Sequence, residues 1–332
     1  MKKRNIINLV YGKLSQKYNT IRLYISKAKA YREFYLENGI NNPYVIIGVP
    51  GCLHVVDLCL KYVPKDVDVI FISNGLEKWE EEWARKNLDV RSIIWIDKML
   101  SHGDVLDLMF DKFQRPFGIL DYDCFVFNRS YFYKLREICD KSLYNGLFLY
   151  ENKELKLKFP ETFMIFFNTE LINTVRKKYK VKSSAYNIPN ISKEILRVLR
   201  EIGIDQQQFP ENHKNYFDTL RLLLSLGYVE GYQPQFVEEF PGNVKPNCAI
   251  FHVGGVSCSG IPKTKWGTRG VYLWRRVLEE CLDDDLKDRY REKYGSYTAD
   301  DLRRVNAKLV AEIGSEYFEF VEEIIKFKFL SS

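Results

Sequence analysis

Short apolar runs and longer amphipathic stretches alternate regularly through the first 120 residues or so of the chain. A short, wholly apolar run is typical of a strand buried in a parallel sheet, and apolar residues at helical spacing predict a helix. Strands are therefore predicted at 44–49, 67–72, 91–96 and 117–120, and helices at 51–63, 77–87 and 104–113. This β-α-β-α-β-α-β order predicts an α/β fold with an open, mostly parallel sheet covered by helices.

The pattern is mixed after residue 150. Apolar runs predict further strands at 162–167 and 249–253, and helical spacing predicts helices at 216–226 and through 271–330. The stretch 173–215 is basic and then polar, and we interpret it as rich in loops. Residues 254–270 are rich in Gly, Ser, Thr and Lys, which indicates a flexible loop.

The first 36 residues predict a helix of unusual charge. Apolar residues recur near helical spacing between positions 5 and 36, at Ile6, Leu9, Val10, Leu14, Ile21, Ile25 and Ala28. Residues 1–32 hold nine Lys or Arg and no Asp or Glu, whereas the other 300 residues carry 41 basic and 44 acidic groups. Such a segment can meet anionic lipid headgroups, dock on its own domain or contact nucleic acid. We keep peripheral membrane contact through residues 1–32 as an expectation and predict no nucleic-acid partner.

Cysteine usage bears on the compartment. The chain has seven cysteines, an odd number, and no two form a C-x-x-C pair. Several lie in apolar runs, so we interpret them as reduced, mostly buried thiols, which favours a cytosolic setting. The sequence has no apolar run of about 18 residues that would predict a membrane-spanning helix, and no signal-peptide core follows the basic start. The expected location is cytoplasmic, at most peripheral on the inner membrane face.

The main candidate for chemistry is Asp121-Tyr122-Asp123, directly after the fourth predicted strand. Where a strand ends the chain bends, so both carboxylates can turn toward one site. A hard divalent cation takes such oxygen ligands and keeps substrate phosphates as further ligands. An ordinary turn is the alternative interpretation. Apolar sequence on both sides favours the site, because two buried carboxylates are costly without a cation or hydrogen-bond donors.

This D-x-D in this position resembles the motif of GT-A-fold glycosyltransferases, and the resemblance covers roughly residues 44–270. It implies a GT-A-like catalytic domain at 43–270 between a basic N-terminal helical segment at 1–42 and a C-terminal helical extension at 271–332. Phe251-His252-Val-Gly-Gly255 resembles the late H-x-x-G of the glycogenin-like members. The resemblance implies that Asp123 and His252 bind the cation, and that Asp121 is a metal ligand and holds the ribose or donor sugar. A hydrogen-bonded structural histidine is the alternative for His252.

Two further stretches resemble the same group with departures. Phe167-Asn168-Thr169 is similar to an F-N-[ST]-G motif near the donor sugar, but Glu170 replaces the Gly. Asn168 is thereby a candidate catalytic residue. A family lysine that holds the diphosphate would correspond to Lys263 or Lys265, in a longer loop than the family has.

The ends of the first two strands add candidates for the nucleoside. Pro50 and Gly51 follow the first strand and Asn74 follows the second, at the edge where ligands bind in open α/β sheets. Simple turn chemistry explains these residue types equally well. Asp218, before a predicted helix, is either a first-turn carboxylate or a catalytic or acceptor-binding group.

The function expected from these residues is transfer of a sugar from a nucleotide diphospho-sugar, first a UDP-sugar, to a saccharide or other acceptor hydroxyl, with Mn²⁺ or Mg²⁺ as cofactor. A haloacid-dehalogenase-type phosphatase is one alternative. Its motif wants Thr or Val where this chain has Phe125, and it ends the first strand rather than the fourth. A non-catalytic nucleotide-sugar-binding protein is another. A nicotinamide dehydrogenase is excluded because no G-x-G-x-x-G follows the first strand.

Overall fold

The computed structural model describes residues 25–26, 28–29, 40–152, 157–204, 216–239, 249–256, 268–281, 283–294, 307, 311 and 316–330. The strands are β1 Tyr44–Gly48, β2 Val69–Asn74, β3 Ser92–Ile96, β4 Phe117–Leu120, β5 Cys124–Val126, β6 Ser142–Asn152, β7 Leu157–Phe167, β8 Tyr186–Asn187, β9 Tyr216–Phe217, β10 Gln233–Glu239 and β11 Ile250–His252. The α-helices are α1 Leu53–Leu60, α2 Lys78–Asn87, α3 His102–Lys112, α4 Ser130–Arg136, α5 Thr169–Tyr179, α6 Lys193–Glu201, α7 Arg221–Val229, α8 Thr268–Glu279, α9 Asp284–Tyr294 and α10 Glu316–Leu330.

Seven strands form one twisted sheet in the order β10-β6-β7-β4-β1-β2-β3. Strand β1 is parallel to both β2 and β4, β2 is parallel to β3, and β6 is parallel to β10. Only β7 runs antiparallel, between β4 and β6. The predicted α/β fold with a mostly parallel sheet and covering helices is confirmed. We call the edge where β1 to β4 end the carboxyl edge.

The core lies on both faces of this sheet, because alternate residues of a strand point to opposite faces. Tyr44 and Ile46 face one side, where α1 packs, and Val45 faces the other side, where α3, α5 and α7 pack. The three C-terminal helices belong to the first side. Their buried aromatic residues join the same cluster as β1 and α1: Trp274, Tyr290 and Tyr317. The described helices α8, α9 and α10 therefore share the core of the sheet.

The second half of the chain departs from the sequence prediction. The stretch 173–215 was expected to be rich in loops, and this is wrong for its described part, 173–204, which holds most of α5 and all of α6. Residues 205–215 lie outside the described residues. Charged residues occupy the exposed faces of these helices, and the buried faces use few apolar positions, such as Val175 and Leu199. Strand β6 was not predicted. The helix expected at 216–226 begins later, at Arg221, after the two-residue strand β9.

In the described ranges, no helix combines the length and apolar character needed to cross a bilayer. Of the predicted N-terminal helix, residues 25, 26, 28 and 29 are described, and they are helical. The rest of residues 1–39 lies outside the described residues, as does most of the loop predicted at 254–270.

Candidate metal and donor site

The D-x-D motif forms the tight turn between β4 and β5. The Asp121 N–H donates to the Phe163 carbonyl of β7 (2.8 Å), and the Cys124 N–H donates back to the Asp121 carbonyl (3.0 Å). In an extended strand, residues two positions apart point to the same face and their neighbours to the other. Here the chain turns directly after β4, so the turn sets the directions of the two carboxylates. Both lie on the same side of the carboxyl edge.

His252 reaches the turn through a second, two-stranded sheet. Strand β11 is antiparallel to β5, and His252 pairs with Cys124, the residue after the motif. The His252 Nε2 lies 3.4 Å from Asp123 Oδ1 and 3.8 Å from Asp121 Oδ2. One ligand atom from each of the three residues lies within 4.8 Å of the others. The three residues predicted as metal ligands are thus brought together.

The site is walled on one side and open on the other. The Asp123 side chain is 8% exposed, and its Oδ2 accepts a hydrogen bond from the Val256 N–H at 3.3 Å. The Phe163 ring stacks on the His252 imidazole with centroids 4.2 Å apart. The Asp121 side chain is 34% exposed. A ligand can therefore approach the cluster from the Asp121 side.

The charges of the cluster are poorly compensated within the protein. Burial, and then the neighbouring Asp123 charge, raise the pKa of Asp121 well above its usual range. For His252, burial acts to lower the pKa, but the charges of Asp123, Asp121 and Glu161 outweigh it and raise the pKa. A divalent cation would supply the positive charge that this arrangement lacks, and carboxylate and imidazole donors are chemically suited to one.

Glu161 is a site residue that the sequence pattern did not reveal. It precedes Phe163 on β7, and its charge acts on both Asp121 and His252. Burial raises the pKa of Glu161. The sequence does not show this proximity, because it depends on β7 running antiparallel beside β4. The one local indication is that Glu161 is a carboxylate directly before the predicted apolar strand at 162–167.

Asp218 lies near Glu161, and the two charges interact. It is exposed, and its Oδ1 accepts a hydrogen bond from the Thr219 N–H at 2.7 Å. Together with Glu161 and Arg221, it lines a small cavity of about 50 Å³. The structure therefore brings this predicted residue to the neighbourhood of the site through Glu161.

Asn168 lies at the opposite edge of the sheet. Because β7 is antiparallel to β4, Phe167 pairs with Phe117 at the start of β4, while Asp121 follows its end. The Asn168 Oδ1 accepts from the Leu171 N–H at 3.3 Å and caps the start of α5. The structure does not bring this predicted catalytic residue to the metal cluster.

In the loop after β1, the backbone N–H and the carbonyl of Gly51 are both hydrogen-bonded to other parts of the protein. The Gly51 N–H donates to Glu80 Oε1 at 2.8 Å, and the Gly51 carbonyl accepts from Trp274 Nε1 at 2.6 Å. Gly51 has a φ of +87°, a conformation that favours glycine. Pro50 before it is half-buried. The loop is therefore fixed beside the end of β4, with the backbone groups of Gly51 already bonded.

Asn74 at the end of β2 holds the next loop. Its Nδ2 donates to the Leu100 carbonyl at 3.0 Å, and its Oδ1 accepts from the Leu100 N–H at 2.8 Å. This buried side chain shapes the carboxyl edge through the loop after β3. Lys263 and Lys265 lie outside the described residues.

Sequence comparison finds glycosyltransferases similar to part of the chain. Residues 23–172 match the model of the StrH glycosyltransferase N-terminal domain. A curated relative from Streptomyces griseus, dTDP-dihydrostreptose--streptidine-6-phosphate dihydrostreptosyltransferase, is 30% identical over 90 residues. The aligned part spans 27% of this chain and 23% of that relative's length. The glycosyltransferase resemblance inferred from the motif is confirmed.

Similar solved structures are also glycosyltransferases. GlyE from Streptococcus pneumoniae TIGR4 has a TM-score of 0.40 at 11% identity, over 77% of this chain and 66% of that chain. The bifunctional WbbM has a TM-score of 0.40 at 10% identity, over 79% and 53%. The mannosyltransferase PcManGT from Pyrobaculum calidifontis, solved with GDP-Man and Mn²⁺, has a TM-score of 0.34 at 11% identity, over 94% of each chain.

Proposed function

We propose that the protein transfers a sugar from a nucleotide diphospho-sugar to an acceptor hydroxyl with a divalent cation held by Asp121, Asp123 and His252. One observation carries the proposal. The two carboxylates of the D-x-D motif and an imidazole distant in sequence meet at the carboxyl edge of an open α/β sheet. Ligands of such sheets bind at that edge. The match to a glycosyltransferase domain over residues 23–172 supports the reaction class.

Mn²⁺ is the proposed cation, with Mg²⁺ as its substitute. Carboxylates suit both ions, but an imidazole ligand favours a transition metal over magnesium. When bound, the cation supplies positive charge beside the diphosphate and offsets the charge that develops on the leaving group. Asp121, the most exposed of the three ligands, is placed to meet the ribose or the donor sugar as well.

The donor nucleotide is proposed to lie along the carboxyl edge, from the metal cluster toward the loops after β1 and β2. Pro50, Gly51 and Asn74 lie in or support these loops, so their role is to fix the shape of the nucleoside site. A UDP-sugar is the first donor to test. A dTDP-sugar is the second, because the Streptomyces griseus relative is named for a dTDP-sugar donor.

The acceptor is proposed to lie on the other side of the metal cluster, over Glu161, Asp218 and Arg221. These residues line one cavity and offer both hydrogen-bond acceptors and donors to a hydroxyl-rich molecule. Asp218 is the proposed catalytic or acceptor-binding carboxylate. Lys263 or Lys265 is proposed to meet the diphosphate from the loop at 254–270.

A cytoplasmic location is proposed from the thiol chemistry. Among the described residues, Cys52, Cys59, Cys124 and Cys139 form no disulfide, and all but Cys139 are buried. Buried thiols outside disulfides are typical of a reducing compartment.

The test is a thermal-shift panel of UDP-, dTDP-, GDP- and CMP-sugars with and without Mn²⁺, followed by nucleotide release on turnover. A donor at about 100 times its dissociation constant should stabilise the protein by about 2.7 kcal/mol, with Mn²⁺ present only. Asp123→Asn and His252→Ala should abolish this shift. The matched control is Asp89→Asn, an exposed carboxylate at the other edge of the sheet, which should keep it. The proposal fails if no nucleotide sugar shifts the protein with any divalent cation, or if Asp123→Asn turns over normally.

A further inference from the structure

Phe163 of β7 contacts two of the three residues of the candidate metal site. Its ring stacks on the His252 imidazole, with centroids 4.2 Å apart and the two ring planes inclined by 24°. Its carbonyl accepts the Asp121 N–H at 2.8 Å. Asp121 and His252 come from distant parts of the chain, so one residue of a third strand holds both of them.

The stack fixes the plane of the imidazole. Stacked aromatic rings attract each other, and a ring held face to face loses contact area when it tilts. Phe163 is buried in the same hydrophobic cluster as α1 and the C-terminal helices, so the packed core holds the phenyl ring in place. The imidazole therefore lies against a rigid surface.

The plane of the imidazole decides where a cation can bind. The lone pair of a ring nitrogen lies in the ring plane, so a metal ion bonded to Nε2 must lie close to that plane. In the observed plane, the His252 Nε2 lies 3.4 Å from Asp123 Oδ1 and 3.8 Å from Asp121 Oδ2. Rotation of the ring about its Cβ–Cγ bond would move Nε2 away from both carboxylates.

A metal-binding histidine is usually oriented in another way. Its second ring nitrogen donates a hydrogen bond to a carboxylate or a backbone carbonyl, and loss of that partner lowers metal affinity by about 10- to 100-fold. Within the described ranges, no hydrogen bond restrains the Nδ1 of His252. The stacked phenyl ring takes the place of that partner.

We propose that Phe163 is a positioning residue of the candidate metal site, which orients the His252 imidazole through its ring and fixes the Asp121 backbone through its carbonyl. This inference rests on the proposed cation site. The carbonyl is present whatever the side chain at position 163, so a substitution there isolates the effect of the stack.

The test is calorimetric titration of Mn²⁺ into the metal-free full chain and into Phe163→Leu. Leucine keeps an apolar side chain at this position but has no flat face. We expect the dissociation constant for Mn²⁺ to rise about tenfold or more, as when a metal-bound histidine loses its orienting partner. If Phe163→Leu does not fold, Phe163→Met, which is closer to phenylalanine in length, takes its place.

Phe166→Leu is the matched control. Phe166 is a buried phenylalanine of the same strand and the same hydrophobic cluster, and its ring contacts the ring of Tyr44. Both variants should lose a similar amount of stability in urea unfolding, because each loses a buried phenyl ring. Phe166→Leu should nevertheless bind Mn²⁺ as the unchanged protein does.

A measurement without metal tests the stack itself. Protons above the face of a phenyl ring resonate upfield, so the ring protons of His252 should be shifted upfield in the proton NMR spectrum of the unchanged protein and of Phe166→Leu. Phe163→Leu should lose this shift. The chain has four histidines, and the variant His252→Gln assigns the signals.

The outcomes separate this inference from the proposed function. Equal Mn²⁺ affinity in the unchanged protein and in Phe163→Leu would overturn the inference and leave the cation site standing. An equal loss of affinity in Phe166→Leu, or His252 signals at ordinary positions, would do the same. If the unchanged protein binds no Mn²⁺, the proposed cation site fails, and the positioning role of Phe163 fails with it.

Discussion

At the scale of single residues, Asp121 is held in a place that does not suit its charge when no cation is bound. Its pKa is raised by burial and by Asp123, so its ionised form weakens the folded state. When folding raises the pKa of a carboxyl group, the group's contribution to the free energy of unfolding is fully present below its unfolded-state pKa. That contribution is lost as the pH rises through its folded-state pKa. The raised pKa of His252 acts in the same direction, because its protonated form is the one that the fold stabilises. The metal-free protein should therefore lose stability through Asp121 as the pH rises from the usual aspartate pKa to about 7, and through His252 as the pH rises above the usual histidine pKa.

Asp121→Asn should stabilise the metal-free protein at and above neutral pH by about 1 kcal/mol, since the like-charge contact with Asp123 disappears. The same variant should lose most of the stabilisation by Mn²⁺. Urea unfolding at several pH values, with and without Mn²⁺, measures both effects. A variant that is less stable than the unchanged protein without metal would show that the carboxylate pair is not strained.

At the scale of elements, the loops of the carboxyl edge depend on a buried carboxylate from α2. Both Glu80 oxygens are used: Oε1 accepts from the Gly51 N–H and the Tyr290 hydroxyl, and Oε2 accepts from the Glu77 N–H. Glu80 is fully buried. It thereby joins the loop after β1, the start of α2 and helix α9 in one set of hydrogen bonds.

Glu80→Ala should destabilise the protein by about 3 kcal/mol, because buried donors lose their only strong acceptor. Tyr290→Phe removes one bond of the same set and should cost about 1 kcal/mol. Chemical denaturation measures both. If both variants lose only a similar, small amount of unfolding free energy, water must take over the hydrogen bonds of the Glu80 carboxylate.

The elements also show what the sequence could predict. Strands β1, β2 and β4 are almost wholly buried, and helices α1 and α3 have clear apolar sides, so the order along the chain suffices for this part of the fold. Helix α5 is different, because it packs against α3 and α7 from distant sequence and few of its residues are apolar. Strand β6 pairs with β7, the next strand, and also with the distant β10. For the site, local sequence indicated Asp121 and Asp123. Because β7 is antiparallel to β4, Glu161 lies near these two residues and Asn168 lies far from them. No local sequence pattern predicts the direction of β7.

At the scale of the whole molecule, the C-terminal helices are part of the fold that holds the site. Trp274 bonds the Gly51 carbonyl, and His54 Nε2 lies 2.9 Å from the Trp274 carbonyl. Tyr62 donates to the Ile324 carbonyl at 2.9 Å. These contacts join α8 and α10 to the loop after β1 and to the residues after α1.

Removal of residues 268–332 should therefore unfold the remaining chain, or leave it expanded, because the side of the sheet that packs α1 loses its cover. Circular dichroism and thermal unfolding of the truncated and full chains measure the difference. A cooperatively folded chain without residues 268–332 would show that the C-terminal helices are a dispensable addition.

The pairing of β11 with β5 has a consequence for synthesis. His252 joins Asp121 and Asp123 only when this antiparallel pair forms, and the Asp123–Val256 hydrogen bond beside it spans 133 positions of the chain. Long-range pairing of this kind is slow compared with local helix formation. A nascent chain that has made its first four strands carries Asp121 and Asp123 without His252. The three-residue cluster is therefore complete only late in folding.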